Sequence, residues 1–175
     1  MRRAPQAVLI GDSSAPRRTL RTAAGVGTLL AERGITLVTG GMGGVMAAAS
    51  RAAMRAGGVV VGLVPSTELA QGNGWCTVVI PTGLGHARNA LTAIAGDVVI
   101  AIGGAAGTLS EIALAWIHGR PILVMEGAGG WADALAHGVV DGRASSTITA
   151  CADLAGLDAA LRRLRVVPLR RAQRR

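Results

Sequence analysis

The sequence predicts a single α/β domain in which a doubly wound, mostly parallel β-sheet lies between two layers of helices. At 175 residues the chain has the usual size of one domain. Short apolar runs alternate with longer segments of helical period, which is the pattern of strand–helix–strand units joined by right-handed crossovers. The 26 glycines gather where an apolar run ends and a helical segment begins. We therefore expect a three-layer α/β/α, Rossmann-like domain.

Six apolar runs are the predicted strands. They are 7–10, 35–38, 59–64, 77–80, 98–102 and 122–125. The first follows Arg2 and Arg3, but it is too short for a signal-peptide core or a membrane span. We therefore predict a first strand there and no membrane association.

Five segments are predicted helices because their apolar residues recur at helical spacing. They are 17–32, 45–56, 87–95, 109–118 and 154–164. Gly34 and Gly57 follow two of them at the position where a left-handed residue ends a helix, and Pro121 follows a third. For segment 126–149 the residue pattern predicts only a loop that runs into a short helix.

The composition indicates where the protein resides and what fills its core. Half of the residues are hydrophobic, yet Phe and Tyr are absent, so Ala, Val, Leu and Ile must fill a sheet that is buried on both faces. Cys76 and Cys151 show neither a metal-binding nor a disulfide pattern. We expect a cytoplasmic protein with reduced thiols, without a bound metal and without a required cofactor.

The net charge of +8 comes mainly from the C-terminus. All 18 basic residues are arginine, and seven of them stand from Arg162 onward with no acidic residue among them. The remaining body is nearly neutral. We therefore predict a folded domain over 1–164 and a disordered, arginine-rich tail over 165–175, and we do not expect a nucleic-acid partner.

Four loops are predicted to meet at one edge of the sheet. In the common strand order 3-2-1-4-5-6, a crevice opens at the carboxyl ends of the first and fourth strands, where the order reverses. The loops are 11–14, 40–44, 81–88 and 103–108. Glycine lets the backbone approach a ligand, and a helix that follows presents free N–H groups to an anion. Each loop alone fits an ordinary tight turn equally well, but together they favour a phosphate site.

The candidate ligand-binding residues come from these loops. They are Gly11, Ser13, Gly40, Gly41, Gly43, Gly44, Thr82, Gly83, Arg88, Asn89, Gly103, Gly104, Gly107 and Thr108. No Gly-Lys-Ser/Thr and no GxGxxG follows a strand, which argues against an ATPase or a standard NAD-dependent dehydrogenase.

Three of these segments resemble the LOG-like superfamily, long mislabelled "lysine decarboxylase". They are Val38–Met46, Thr82–Asn89 and Gly104–Glu111. The superfamily includes phosphoribohydrolases, which split nucleoside 5′-monophosphates into base and ribose 5-phosphate, and molybdenum cofactor carrier proteins. The resemblance implies a small phosphorylated ligand, the molybdenum cofactor as a carried ligand, and a homodimer or higher homo-oligomer.

The hydrolase motif PGGxGTxxE, which is accompanied by an Arg-Lys pair, is matched only in part. Thr108, Glu111 and Arg88 match, whereas Gly103 replaces the proline and Asn89 replaces the lysine. The stretch 82–89 is more similar to the carrier branch. The resemblance therefore implies binding of a nucleotide or pterin phosphate, with hydrolysis as the alternative. In a hydrolase, Arg88 and Glu111 would be the catalytic residues.

Both residues also have simpler interpretations. Arg88 can be a solvated helix residue, although a cation in the first helical turn is unfavourable. Thr108 and Glu111 have the spacing of a capping box at a helix start. Among the tryptophans, Trp116 is predicted to be core or interface, and Trp131 is the better candidate for stacking on a heterocycle.

Overall fold

The computed structural model describes residues 3–142 and 146–166. The strands are β1 (Gln6–Gly11), β2 (Thr36–Thr39), β3 (Val60–Val64), β4 (Val78–Pro81), β5 (Val98–Ile102), β6 (Ile122–Met125) and β7 (Ile148–Cys151). The helices are α1 (Arg17–Glu32), α2 (Gly44–Arg55), α3 (Arg88–Ile94), α4 (Ala106–Ile117), α5 (Gly130–Leu135) and α6 (Leu154–Arg163). Short 3₁₀ turns cover Leu69–Gln71 and Gly85–Ala87.

The seven strands form one sheet in the order β4-β3-β2-β1-β5-β6-β7, and every pairing is parallel. This confirms the doubly wound α/β fold. The predicted order 3-2-1-4-5-6 is wrong, because β5 and not β4 lies beside β1. Every residue of β5 is buried, whereas Val78 and Ile80 of β4 are exposed. The strand that both helix layers can cover takes the centre, and the strand that ends in Pro81 takes the edge.

Two layers of helices cover the sheet. On one face α1, α2 and α6 pack on residues such as Leu9, Ile100 and Leu123. On the other face α3, α4 and α5 pack on residues such as Val8, Val99 and Val124. The core is therefore built from aliphatic side chains, as the composition predicts, with Trp116 of α4 buried among them.

The C-terminal third departs most from the sequence prediction. The short helix in 126–149 is present as α5, but β7 was not predicted, because Ile148-Thr149-Ala150-Cys151 is short and mixes polar with apolar residues. Val166 is buried in the core beyond α6, so a domain boundary after 164 would leave out a packed residue. Of the predicted tail, 167–175 lie outside the described residues. No helix in the described ranges is long and apolar enough to cross a membrane.

Candidate functional site

A crevice of about 450 Å³ opens at the carboxyl edge of the sheet, where the strand order reverses between β1 and β5. All four predicted loops contribute to it. Its lining residues are Gly11, Asp12, Ser13, Met42, Met46, Pro65, Gly85, His86, Arg88, Asn89, Ala105, Gly107, Thr108 and Glu111. The loops therefore meet as expected, although the strands behind them are arranged differently.

The loop after the edge strand β4 reaches the crevice because the end of β3 redirects it. The hydroxyl and the amide of Thr82 both donate to the carbonyl of Val64, at 2.8 and 3.0 Å. Gly83 and Gly85, both with positive φ, donate to the carbonyls of Ser66 and Pro65. These bonds turn the chain back towards the centre of the sheet. Thr82 and Gly83 thus shape the loop and do not line the crevice.

Arg88 begins α3 and lies against Glu111 of α4. Arg88 Nη1 is 3.7 Å from Glu111 Oε1, and the two side chains are only 10% and 9% exposed. Burial raises the pKa of Glu111 to about 7, and the charge of Arg88 opposes that rise. Burial also lowers the pKa of Arg88, while Glu111 acts in the opposite direction. The crevice therefore holds a buried cation and a carboxyl group that exchanges a proton near neutral pH.

The Arg88 guanidinium is held in place but is not saturated with hydrogen bonds. Nη1 donates to the Thr92 hydroxyl at 3.0 Å, whereas the buried Nε has no hydrogen-bond partner among the described residues. A Cβ built on Gly40 would press against Nη1. The absence of a side chain at Gly40 therefore makes room for the guanidinium.

Helix α4 presents its N-terminus to the same space. It begins at Ala106, three residues earlier than predicted, and no side chain caps it. The capping box of Thr108 and Glu111 is therefore a wrong prediction: both residues lie inside the helix, and Glu111 faces Arg88 instead. Gly107 lies in the first turn, where a Cβ would meet open space. The free N–H groups and the dipole of α4 favour an anion here.

Asn89 lines the crevice, but its side chain also joins two helices. Its Nδ2 donates to Ser110 Oγ at 2.7 Å and to the carbonyl of Gly107 at 3.4 Å. Ser110 in turn donates to the same carbonyl at 2.7 Å. The amide of Asn89 therefore fixes α3 against the first turn of α4.

Asp12, which was not predicted, connects three of the loops. Its Oδ2 accepts a hydrogen bond from the amide of Gly104 at 2.9 Å, and its carbonyl accepts one from Val45 at 2.9 Å. Gly103 and Gly104 both have positive φ, which suits glycine in this tight turn. A Cβ on Gly11 would lie 2.6 Å from the carbonyl of Ile102. The only sequence signal for Asp12 was its position directly after β1.

The 40–44 loop is packed from behind. Gly41, with positive φ, donates to Thr39 Oγ1 at 3.0 Å, and Asn73 Nδ2 donates to the carbonyl of Met42 at 3.0 Å. Cβ atoms on Gly43 and Gly44 would press on the backbone of the 11–14 loop. Glycine at these two positions therefore allows the backbones of the two loops to approach closely.

The predicted site residues thus divide into two groups. Those that line the crevice are Gly11, Ser13, Arg88, Asn89, Gly107, Thr108 and Glu111. Gly40, Gly41, Gly43, Gly44, Thr82, Gly83, Gly103 and Gly104 form the loops behind it. Among the lining residues that sequence reasoning missed, Met42, Met46 and Pro65 give the crevice an apolar side.

Sequence comparison relates most of the chain to known proteins. The SLOG cluster4 family matches residues 5–153. An uncharacterized protein of Archaeoglobus fulgidus is 40% identical over 126 residues, which cover 68% of this chain and 82% of that protein. A probable cytokinin riboside 5′-monophosphate phosphoribohydrolase of Oryza sativa is 36% identical over 125 residues, 66% of this chain and 55% of that protein. The chain thus spans about half the length of the rice relative.

Solved structures share the fold over nearly the whole chain. The X-ray structure of the protein TM1055 superposes with a TM-score of 0.85 at 29% identity, covering 91% of this chain and 99% of that one. A Moco carrier protein from Chlamydomonas reinhardtii superposes with a TM-score of 0.77 at 29% identity, covering 93% of this chain and 98% of the carrier.

Proposed function

The chain belongs to the SLOG cluster4 family of LOG-like proteins, and from that premise we propose that its crevice binds a phosphorylated heterocycle, a nucleotide or a pterin phosphate, as a carrier does. The observation that carries the proposal is the buried Arg88, whose Nε has no hydrogen-bond partner among the described residues. A buried guanidinium with free donors is costly, and a phosphate oxygen offsets that cost with charge-assisted hydrogen bonds.

The anion would lie between Arg88 and the uncapped start of α4. Gly107 leaves space for its approach, and the backbone N–H groups of the first turn would share its charge with the guanidinium. The similarity to a Moco carrier protein supports a pterin phosphate as the carried ligand. Asn89 stands where the hydrolase motif has a lysine, and its side chain is bound to Ser110. This replacement supports binding rather than hydrolysis.

Calorimetric titration with adenosine 5′-monophosphate tests the proposal. We expect Arg88→Gln to weaken binding by about tenfold or more, the loss expected for charge-assisted hydrogen bonds. Arg17→Gln, on the exposed start of α1, is the matched control and should bind as the parent does. Native mass spectrometry of the protein purified from its own host then shows whether a pterin phosphate is retained. Equal affinity of Arg88→Gln and parent would contradict the proposal.

A second candidate function is hydrolysis of nucleoside 5′-monophosphates, and the contact between Glu111 and Arg88 favours it. In this reaction water adds to C1′ of the ribose, the N-glycosidic bond breaks, and the base leaves with a proton. Glu111, with its pKa raised to about 7 by burial, could transfer that proton at neutral pH. Release of free base and ribose 5-phosphate from a panel of monophosphates would decide for the enzyme.

A further inference from the structure

Two methionines form the apolar side of the crevice. Met42 lies in the loop before α2 and Met46 lies in the first turn of that helix, and both line the crevice. Met46 is buried, and a Cβ built on Gly40 would lie 2.9 Å from its sulfur while also pressing against Arg88 Nη1. The thioether surface therefore starts beside the guanidinium.

No tryptophan side chain lines the crevice among the described residues, and the one aromatic ring there is the imidazole of His86. The chain has neither Phe nor Tyr. Trp75 carries Arg51 and Arg55 over its ring at 5.2 and 5.9 Å, and Trp116 is buried in the core. Trp131, the predicted stacking residue, is 43% exposed on α5 and does not line the crevice. Besides His86, the apolar contacts for a flat ligand bound beside Arg88 therefore come from aliphatic and thioether groups.

We propose that Met42 and Met46 form the surface on which the heterocycle rests, and that this surface selects fused bicyclic rings, purine or pterin, over a single pyrimidine ring. The inference rests on the proposed function, since it assumes a phosphate at Arg88. Methionine suits the task because its sulfur contacts aromatic rings favourably and its unbranched chain adapts to rings of different outline. A bicyclic ring covers more of the two side chains than a pyrimidine does, and affinity rises with apolar area removed from water.

Methyl NMR of the full-length protein tests ring contact directly. With carbon-13 in the methionine methyl groups, the chain gives signals from five methionines. The ring current of adenosine 5′-monophosphate should shift the methyl signals of Met42 and Met46. The signals of Met54 and Met125, which pack in the core cluster, should stay unchanged. Ribose 5-phosphate, which has no ring system, should leave all of these signals near their free positions. Equal shifts with both compounds would overturn the proposal.

Calorimetry with the same two probes and with cytidine 5′-monophosphate, which should bind more weakly than the adenine nucleotide, separates the heterocycle surface from the anion site. Replacing Met42 and Met46 together by alanine should weaken the binding of adenosine 5′-monophosphate by about tenfold or more. The affinity for ribose 5-phosphate should change little. Leucine at both positions should retain most of the nucleotide affinity. Met54→Ala, on the same helix outside the crevice, is the matched control.

Other outcomes point to different failures. If the parent binds cytidine 5′-monophosphate or ribose 5-phosphate as tightly as adenosine 5′-monophosphate, the methionine surface is overturned while the anion site stands. If nucleotide affinity is retained in the double alanine variant, the ring lies elsewhere. If the parent binds none of the three compounds, the proposed function fails and this inference fails with it.

Discussion

Arg88 Nη1 and Glu111 Oε1 lie 3.7 Å apart between two neighbouring helices, and both side chains are almost completely buried. The distance is too long for a strong hydrogen bond but short enough for the charges to interact. A ligand phosphate at Arg88 would compete with the Glu111 carboxylate for the guanidinium. Occupancy of the site and ionisation of Glu111 are therefore expected to be coupled.

The first prediction concerns Glu111→Gln. Because Glu111 does not cap α4 and is protonated in the folded state at pH 4.5, we expect the change to alter the free energy of unfolding by less than about 1 kcal/mol at that pH. For a carrier, phosphate affinity should stay equal or rise, since a competitor for Arg88 is gone. For a hydrolase, turnover should fall by about a hundredfold, the usual contribution of an acid–base group. Melting curves, calorimetry and an assay of base release distinguish these outcomes.

The second prediction is a pH dependence of stability. Burial raises the pKa of Glu111 from 4.5 to about 7, so between these values the folded state holds a proton that the unfolded state releases. The free energy of unfolding should therefore fall as pH rises through this window, by up to about 3 kcal/mol, and level off above it. Chemical denaturation at pH 4.5, 6 and 7.5 measures the slope. Glu111→Gln should flatten this component, and an unchanged slope in that variant would contradict the assignment.

The third prediction contrasts two glycines of one loop. Gly107→Val should leave the protein folded, because the position is helical and a side chain there meets open space. It should weaken nucleotide binding by about tenfold or more, since the valine would stand where the anion approaches α4. Gly104→Ala should instead destabilise the fold by about 1–3 kcal/mol, because its φ of 104° is strained for alanine and its Cβ would press on Thr108. Similar behaviour of the two variants would contradict the placement of this loop.

Sequence patterns predicted the strands, the helix layers and the converging loops, because hydrophobic period and glycine position are local signals. The place of β4 at the sheet edge was not predictable in this way, since it depends on which strand both helix layers cover. The same limit applied to the site. Arg88 and Glu111 were found through their motif, whereas Asp12 and Met46 act through contacts between loops that the strand order alone brings together.

The fourth prediction concerns the C-terminus. A chain that ends after Val166 should fold and bind nucleotide as the full chain does, because it keeps α6 and the core contact of Val166. A chain that ends after Leu164 should be less stable, since Val166 is removed from the core and its amide no longer donates to Leu161. Melting curves of the two truncated proteins make the comparison. Equal stability would show that Val166 contributes nothing.

The last prediction is that the protein assembles as a homodimer or larger oligomer through α3 and α4. These helices pack against each other on one face of the sheet, yet Leu91 and Ile94 of α3 and Ile117 of α4 are exposed. Exposed apolar groups on adjacent helices mark a surface that association can remove from water. Ile94→Arg should shift the assembly towards monomer in light scattering coupled to size-exclusion chromatography, because burying an unpaired arginine in such an interface is costly. Leu69→Arg, an exposed leucine on the 3₁₀ turn before β4, is the control and should leave the mass unchanged. A parent protein that is monomeric at micromolar concentration would refute the assembly, and an Ile94→Arg variant with the parent's mass would place the interface on another surface.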